Sequence, residues 1–144
     1  MKPTTTEWFA RPVLFVTDIH RTLDFYVNRL GFKESWRHED DGKALVAQVD
    51  RQGCALIFSS QWPDKAGTGV MFVSLNVGAP TDQLNVEAET AVLDALRAEL
   101  EGNGVRVDDG EWGYRLLVVR DPDGNELWFN YPDTNQPRPL ADAR

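Results

Sequence analysis

The order strand, helix and three strands occurs twice in this chain, and that repetition restricts the fold more than any other feature. In the first half, Arg11-Pro12-Val13-Leu14-Phe15-Val16-Thr17 reads as a strand whose proline is confined to its start. Asp18 is placed to cap a helix in which Ile19, Leu23, Tyr26, Val27 and Leu30 recur at helical spacing, and Gly31 closes it. Lys33–His38, Ala44–Asp50 and Ala55–Ser60 follow as strand candidates, separated by residues 39–43 and 51–53. The second half repeats the order. Val70–Val77 is a strand, Val92, Leu93, Leu96 and Leu100 form a helical stripe stopped by Gly102-Asn103-Gly104, and Gly104–Asp108, Tyr114–Arg120 and Glu126–Tyr131 supply three strands. Residues 78–90 carry no pattern that assigns the link before the helical stripe a conformation. Residues 1–10 and 133–144 read as tails, which leaves one domain over 11–132 with modules at about 11–60 and 70–132.

With 144 residues, the chain is expected to be a single domain able to bury roughly two thirds of its unfolded surface. A formal net charge of −8 disfavours phosphate backbones, so nucleic acid is not an expected partner. No apolar run approaches the roughly 20 residues of a membrane span, and Met1–Trp8 lacks the apolar centre of a signal peptide. The single cysteine, Cys54, cannot form an internal disulfide; it reads as a small buried hydrophobe in a cytoplasmic protein.

The densest signal runs from Trp112 to Phe129. It reads as a strand, a tight Asp121-Pro122-Asp123-Gly124-Asn125 turn, and a second strand, with Trp112-Gly113 in the loop ahead. Strand alternation then sorts side chains into two faces. Leu14, Val16, Leu56, Phe58, Met71, Val73, Leu75, Leu127 and Phe129 are expected under the helices. Val13, Phe15, Ile57, Ser59, Phe72, Ser74, Trp128 and Asn130 fall on the other face.

Residues Asp18-Ile19-His20-Arg21-Thr22-Leu23-Asp24-Phe25-Tyr26 through Leu30-Gly31-Phe32, with Asp121–Asn125 closing the second module, resemble the vicinal-oxygen-chelate superfamily of glyoxalases, extradiol dioxygenases and bleomycin-resistance proteins. Trp112-Gly113 ahead of Arg120-Asp121-Pro122 is most similar to the bleomycin-resistance branch. The resemblance implies an α+β fold of two βαβββ modules, each curling its sheet into a half-barrel, with pockets completed in a homodimer. It also implies that catalytic members hold a divalent ion on four His or Glu side chains, two from each module. Counted from the motifs, those positions fall at Arg11, Ile57, Phe72 and Trp128, which is no ligand set for such an ion. His20 and His38 lie elsewhere and read as solvated or capping side chains.

The expectation is therefore a protein without metal or cofactor that sequesters an aromatic or cationic small molecule, such as a bleomycin-type antibiotic. Trp112, Trp128, Phe72, Phe15, Ile57, Arg11, Glu126 and Trp36 would line its cleft, and no catalytic residue is assigned. The acidic loops Glu39-Asp40-Asp41 and Asp108-Asp109 with Glu111 would attract a cation if they faced the cleft mouth. Two other readings compete. One is a glyoxalase- or dioxygenase-like enzyme with shifted metal ligands, or with metal-independent chemistry on Glu126 or Arg11. The other is an interaction module with a filled cleft.

Overall fold

The structure is a computed structural model that describes residues 6–75 and 86–132. The expected tail over 133–144 and most of the patternless link lie outside the described residues. Two four-stranded mixed sheets correspond to the two modules. The first is ordered β1-β4-β3-β2, from β1 (Val13–Phe15), β2 (Lys33–Asp40), β3 (Lys43–Arg51) and β4 (Cys54–Ser59). The second repeats it as β5-β8-β7-β6, from β5 (Val70–Val73), β6 (Val107–Glu111), β7 (Arg115–Arg120) and β8 (Glu126–Asn130). In each, the opening strand pairs parallel with the closing strand and the other pairings are antiparallel. Among the described residues both sheets are open and not curled into the expected half-barrels, with β1 and β2 at the edges of one and β5 and β6 at the edges of the other.

Several boundaries differ from the sequence reading. β1 keeps only three residues, and Arg11 precedes it. β2 and β3 run longer because Asp41 and Gly42 both adopt positive φ, the two-residue turn that suits strand twist. Gln52 and Gly53 do the same between β3 and β4. β6 starts at Val107, three residues later than expected, because Val105 is tied back to the helix end through its bond to the Leu100 carbonyl.

The first helix, α1 (Ile19–Leu23), starts where Asp18 accepts a hydrogen bond from the Arg21 amide at 3.2 Å. It widens into a π-helical stretch over Asp24–Arg29. The second, α2 (Val86–Gly102), turns Leu93 and Leu100 inward, while Val92 of the expected stripe is exposed. No helix among the described residues is long and apolar enough to cross a membrane.

The alternation assigned the core correctly. Leu14, Val16, Leu56, Phe58, Leu127 and Phe129 join one apolar cluster with Ile19, Leu23, Tyr26, Leu93 and Leu100, and Met71, Val73 and Leu75 pack against it half-buried. Ser59 is the exception on the opposite face, being buried. Each large apolar side chain sealed this way contributes about 1.5–3 kcal/mol, whereas an exposed ion pair such as Arg97–Glu101 contributes about 0–1. The core therefore decides the fold, and the surface pairs trim it.

The closing turn joins the modules. Asn125, fully buried, donates to the Phe15 carbonyl at 3.0 Å and accepts from the Gly69 amide at 2.8 Å. Asp121 accepts from the Tyr26 hydroxyl at 3.2 Å, and Asp123 takes hydrogen bonds from Thr17 and Arg21. The Asp-Pro-Asp-Gly-Asn motif is thus an intermodule joint as well as a hairpin turn.

Tyr131 closes the second sheet on α2 by donating to Asp94 at 2.7 Å. Burial first, and then this bond, push its phenol up to about 12. A folded value above the unfolded value of about 10 means the linked stability is complete below pH 10 and is lost as pH climbs toward 12. Tyr131→Phe is accordingly expected to lose less of its urea midpoint between those two pH values than the unmodified chain. Parallel curves would show that this proton is not linked to folding.

Candidate functional site

The side of the second sheet turned away from the helices carries an aromatic cluster. Phe72 on β5 and Trp128 on β8 are direct register partners, so their side chains rise together. Trp112 leans over both from the loop after β6, its ring centroid 5.4 Å from Trp128 and 5.7 Å from Phe72. Tyr114 completes the group, 6.3 Å from Trp112 and 6.4 Å from Phe72. The pairs meet edge-on or tilted, the arrangement that ring quadrupoles favour. Gly113 allows the loop to reverse at φ +75°, and the Trp112 amide donates to the Tyr114 carbonyl at 3.0 Å. Beneath the cluster Leu116 and Val118 are buried, although they point away from the main core. Trp112 itself remains 57% exposed. The result is a partly open aromatic platform on an apolar floor.

Glu126 borders this platform but is already engaged. One carboxylate oxygen accepts from Trp128 Nε1 at 2.8 Å and the other from Arg120 Nε at 3.0 Å. Arg120 also pairs with Asp108, and Arg106 pairs with the same carboxylate. Asp109 lies between Arg97 and Arg115, which hold its carboxyl below the usual carboxylate range. The expected acidic attraction at Asp108 and Asp109 is therefore largely answered by neighbouring arginines. Glu39 is likewise paired, with Arg37 at 3.5 Å.

The remaining predicted residues lie on the corresponding side of the first sheet. Ile57 is half-buried between its register partners Val13 and Gln48. Phe15 meets Trp62 edge-on at 5.7 Å and lies under the Lys65 ammonium at 5.5 Å. Arg11 and Trp36 converge on Gln48, whose Oε1 accepts from both Arg11 Nη1 and Trp36 Nε1 at 2.9 Å. The sequence reading thus named two groups, one on each sheet. It missed Tyr114, taken only as a strand start, and Gln48, whose outward position between Ala47 and Val49 the alternation already implied.

The four counted metal positions can be tested on their chemistry. Phe72 and Trp128 are paired across β5 and β8, and Val13 and Ile57 are the matching pair across β1 and β4. By register the counterpart of Phe72 is Val13, one step along the face from Arg11. Neither assignment supplies an imidazole or a carboxylate, and no three His, Cys, Asp or Glu side chains converge among the described residues. These residues do not fit the superfamily's divalent ion. Burial and then Asp50 raise the pKa of the half-buried Cys54 thiol, which favours its protonated form.

The profile of the Glyoxalase/Bleomycin resistance protein/Dioxygenase superfamily matches residues 8–129. The chain belongs to that superfamily. No curated protein sequence matches. Solved structures that share the superfamily fold include TnmS3, an antibiotic-binding protein from Streptomyces sp. CB03234, at 23% identity and a TM-score of 0.63, with 90% of this chain and 100% of that one covered. A bleomycin-binding protein from Streptomyces verticillus, in complex with copper(II)-bleomycin, gives 24% identity and a TM-score of 0.62 over the same shares. Lactoylglutathione lyase from Agrobacterium tumefaciens gives 16% identity and 0.60, covering 90% of this chain and 96% of that one. Two binding proteins and a lyase thus share this fold.

Proposed function

We propose that the chain binds a flat aromatic small molecule on the platform of Phe72, Trp112, Tyr114 and Trp128 and holds it without transforming it. The observation that carries this reading is the aromatic cluster itself, two of whose members, Phe72 and Trp128, stand at positions where the resemblance implies metal ligands. Partly exposed ring faces above an apolar floor favour a planar guest by stacking, and a cationic one gains further attraction from the ring quadrupoles. Glu126, the most plausible acid or base nearby, has both oxygens occupied by Trp128 and Arg120, which argues against a role in proton transfer. TnmS3 and the Streptomyces verticillus protein, which bind an antibiotic and bleomycin, make an antibiotic a reasonable guest. A homodimer in a reducing cytoplasm suits this role: a second chain set against the exposed Val13 and Val70 would wall the aromatic faces without occupying them, and the single cysteine needs no partner.

The test is intrinsic tryptophan fluorescence, titrated with metal-free bleomycin and a panel of flat cationic drugs. Saturable quenching, with the compound recovered unchanged afterwards, is expected for at least one of them. A folded protein that responds to none would remove the drug-binding reading.

A further inference from the structure

The first sheet carries a second convergence of polar and aromatic groups that the stacking platform does not use. Arg11 stands just before β1, with its guanidinium carbon 5.7 Å from the centroid of the Phe9 ring. Its Nη1 donates to Gln48 Oε1 at 2.9 Å, and the same oxygen accepts from Trp36 Nε1 at 2.9 Å. Gln48 is buried, and its own amide nitrogen donates to Asp50 Oδ1 at 3.0 Å, which fixes the carboxamide orientation and enriches Oε1 as an acceptor. Ile57 adjoins Gln48 in register and supplies an apolar wall.

This network anchors Arg11 but does not neutralise it. Among the described residues neither Arg11 nor Arg29 forms an ion pair with a carboxylate, whereas Arg21, Arg37, Arg51, Arg97, Arg106, Arg115 and Arg120 all have one; of the two, Arg11 is the one that bonds a buried side chain, Gln48. A guanidinium carries five N–H donors, and one is accounted for. A cation left unpaired in a chain of net charge −8, held by a buried glutamine and flanked by Phe9 and by a Trp36 that is 41% exposed, is suited to a planar anion. Asp50 is the opposing charge in the network, but it reaches Arg11 only through Gln48.

We infer that Arg11, Trp36 and Gln48 form a subsite for an aryl carboxylate or comparable aromatic anion on the open face of the first sheet. It is distinct from the stacking platform and does not depend on it. The guanidinium takes the anionic group, and Trp36 and Ile57 take the ring. The site sets a charge preference opposite to that expected of bare aromatic faces.

The experiment compares 1-naphthoate, 1-naphthalenemethanol and 1-naphthylmethylammonium by calorimetry on the full chain. Naphthoate is expected to bind about tenfold or more tightly than the alcohol, the advantage that charge-assisted hydrogen bonds ordinarily confer. Arg11→Gln should bring that ratio close to one, and Arg11→Lys should restore part of it. Equal affinities in the unmodified protein, or a preference that survives Arg11→Gln, would overturn the subsite. Indole N–H resonances in the unmodified protein provide a readout that no variant's folding can obscure. Naphthoate should shift the Trp36 signal at concentrations where the alcohol does not, whereas shifts confined to Trp112 and Trp128 would place the anion on the platform and defeat the inference. Failure of the drug titration would leave these outcomes unaffected.

Discussion

The chain carrying Asn125→Ala is expected to melt about 10 °C below the unmodified protein. Its side chain is fully buried at the joint between modules and makes three hydrogen bonds there. Alanine leaves the backbone turn intact, yet the Gly69 amide loses its only acceptor among the described residues. The Phe15 carbonyl keeps a single bond from Gly67, and Asp121 keeps the Tyr26 hydroxyl on the same oxygen. A polar group orphaned away from water costs about 1–3 kcal/mol, and the vacated volume adds to that, so a loss of about 3–5 kcal/mol follows. At about 2–4 °C per kcal/mol for a chain of this size, the melting shift is of the stated order. Asn125→Asp tests the geometry separately. It keeps an acceptor for Gly69 but places a second carboxylate where Nδ2 stood 3.0 Å from Asp121, so its deficit should shrink as the pH falls. A urea-derived loss below about 1 kcal/mol for the alanine variant would show that the modules are held together elsewhere.

The joint illustrates what the sequence disclosed and what it withheld. Proline, glycine and three turn-forming polar residues in five positions identify a reversal from local chemistry alone. That Asn125 reaches back 110 residues to Phe15 and 56 to Gly69 is a tertiary fact, set by how the two modules dock. The strand faces were readable for a related reason: period-two alternation is local, so Leu14 and Phe58 could be assigned inward and Phe72 and Trp128 outward without knowing the pairing. Strand ends were less readable, because β1 stops where its partner stops and not where its apolar run stops. The site divided along the same line. Phe72 and Trp128 were identifiable as outward-facing aromatic residues and Trp112 as an aromatic residue in a loop, and the structure brings the three rings together. The charges were less readable, because they depend on neighbours remote in sequence: Asp108 and Asp109 stand in an acidic run, but Arg97, Arg106, Arg115 and Arg120 reach them from α2, the loop after it and β7.

Trp112→Ala should separate binding from stability on the second sheet. The indole touches Phe72, Tyr114 and Trp128 at ring edges while more than half of it stays exposed, so little of its surface is needed to hold the fold. A change in unfolding free energy of about 1 kcal/mol or less is expected. A stacked guest is affected differently. It would lose one entire aromatic face, worth about 1.5–3 kcal/mol when the contact area and the ring–ring term are taken together, so affinity should fall about tenfold to a hundredfold. Trp112→Phe should recover part of the loss, because a smaller ring still covers part of the guest. Trp8→Ala is the matched control: that indole is 96% exposed and touches nothing in the sheet, so its removal should lower total fluorescence without moving the midpoint of the titration. Unchanged affinity in Trp112→Ala would mean that the loop tryptophan serves only to shield Leu116 and Val118, and the guest would have to be sought on the first sheet. A variant that loses affinity and stability together would instead make the aromatic cluster a small outer core. The two quantities must therefore be measured on the same preparation, since only their divergence marks the cluster as a surface kept open for a ligand.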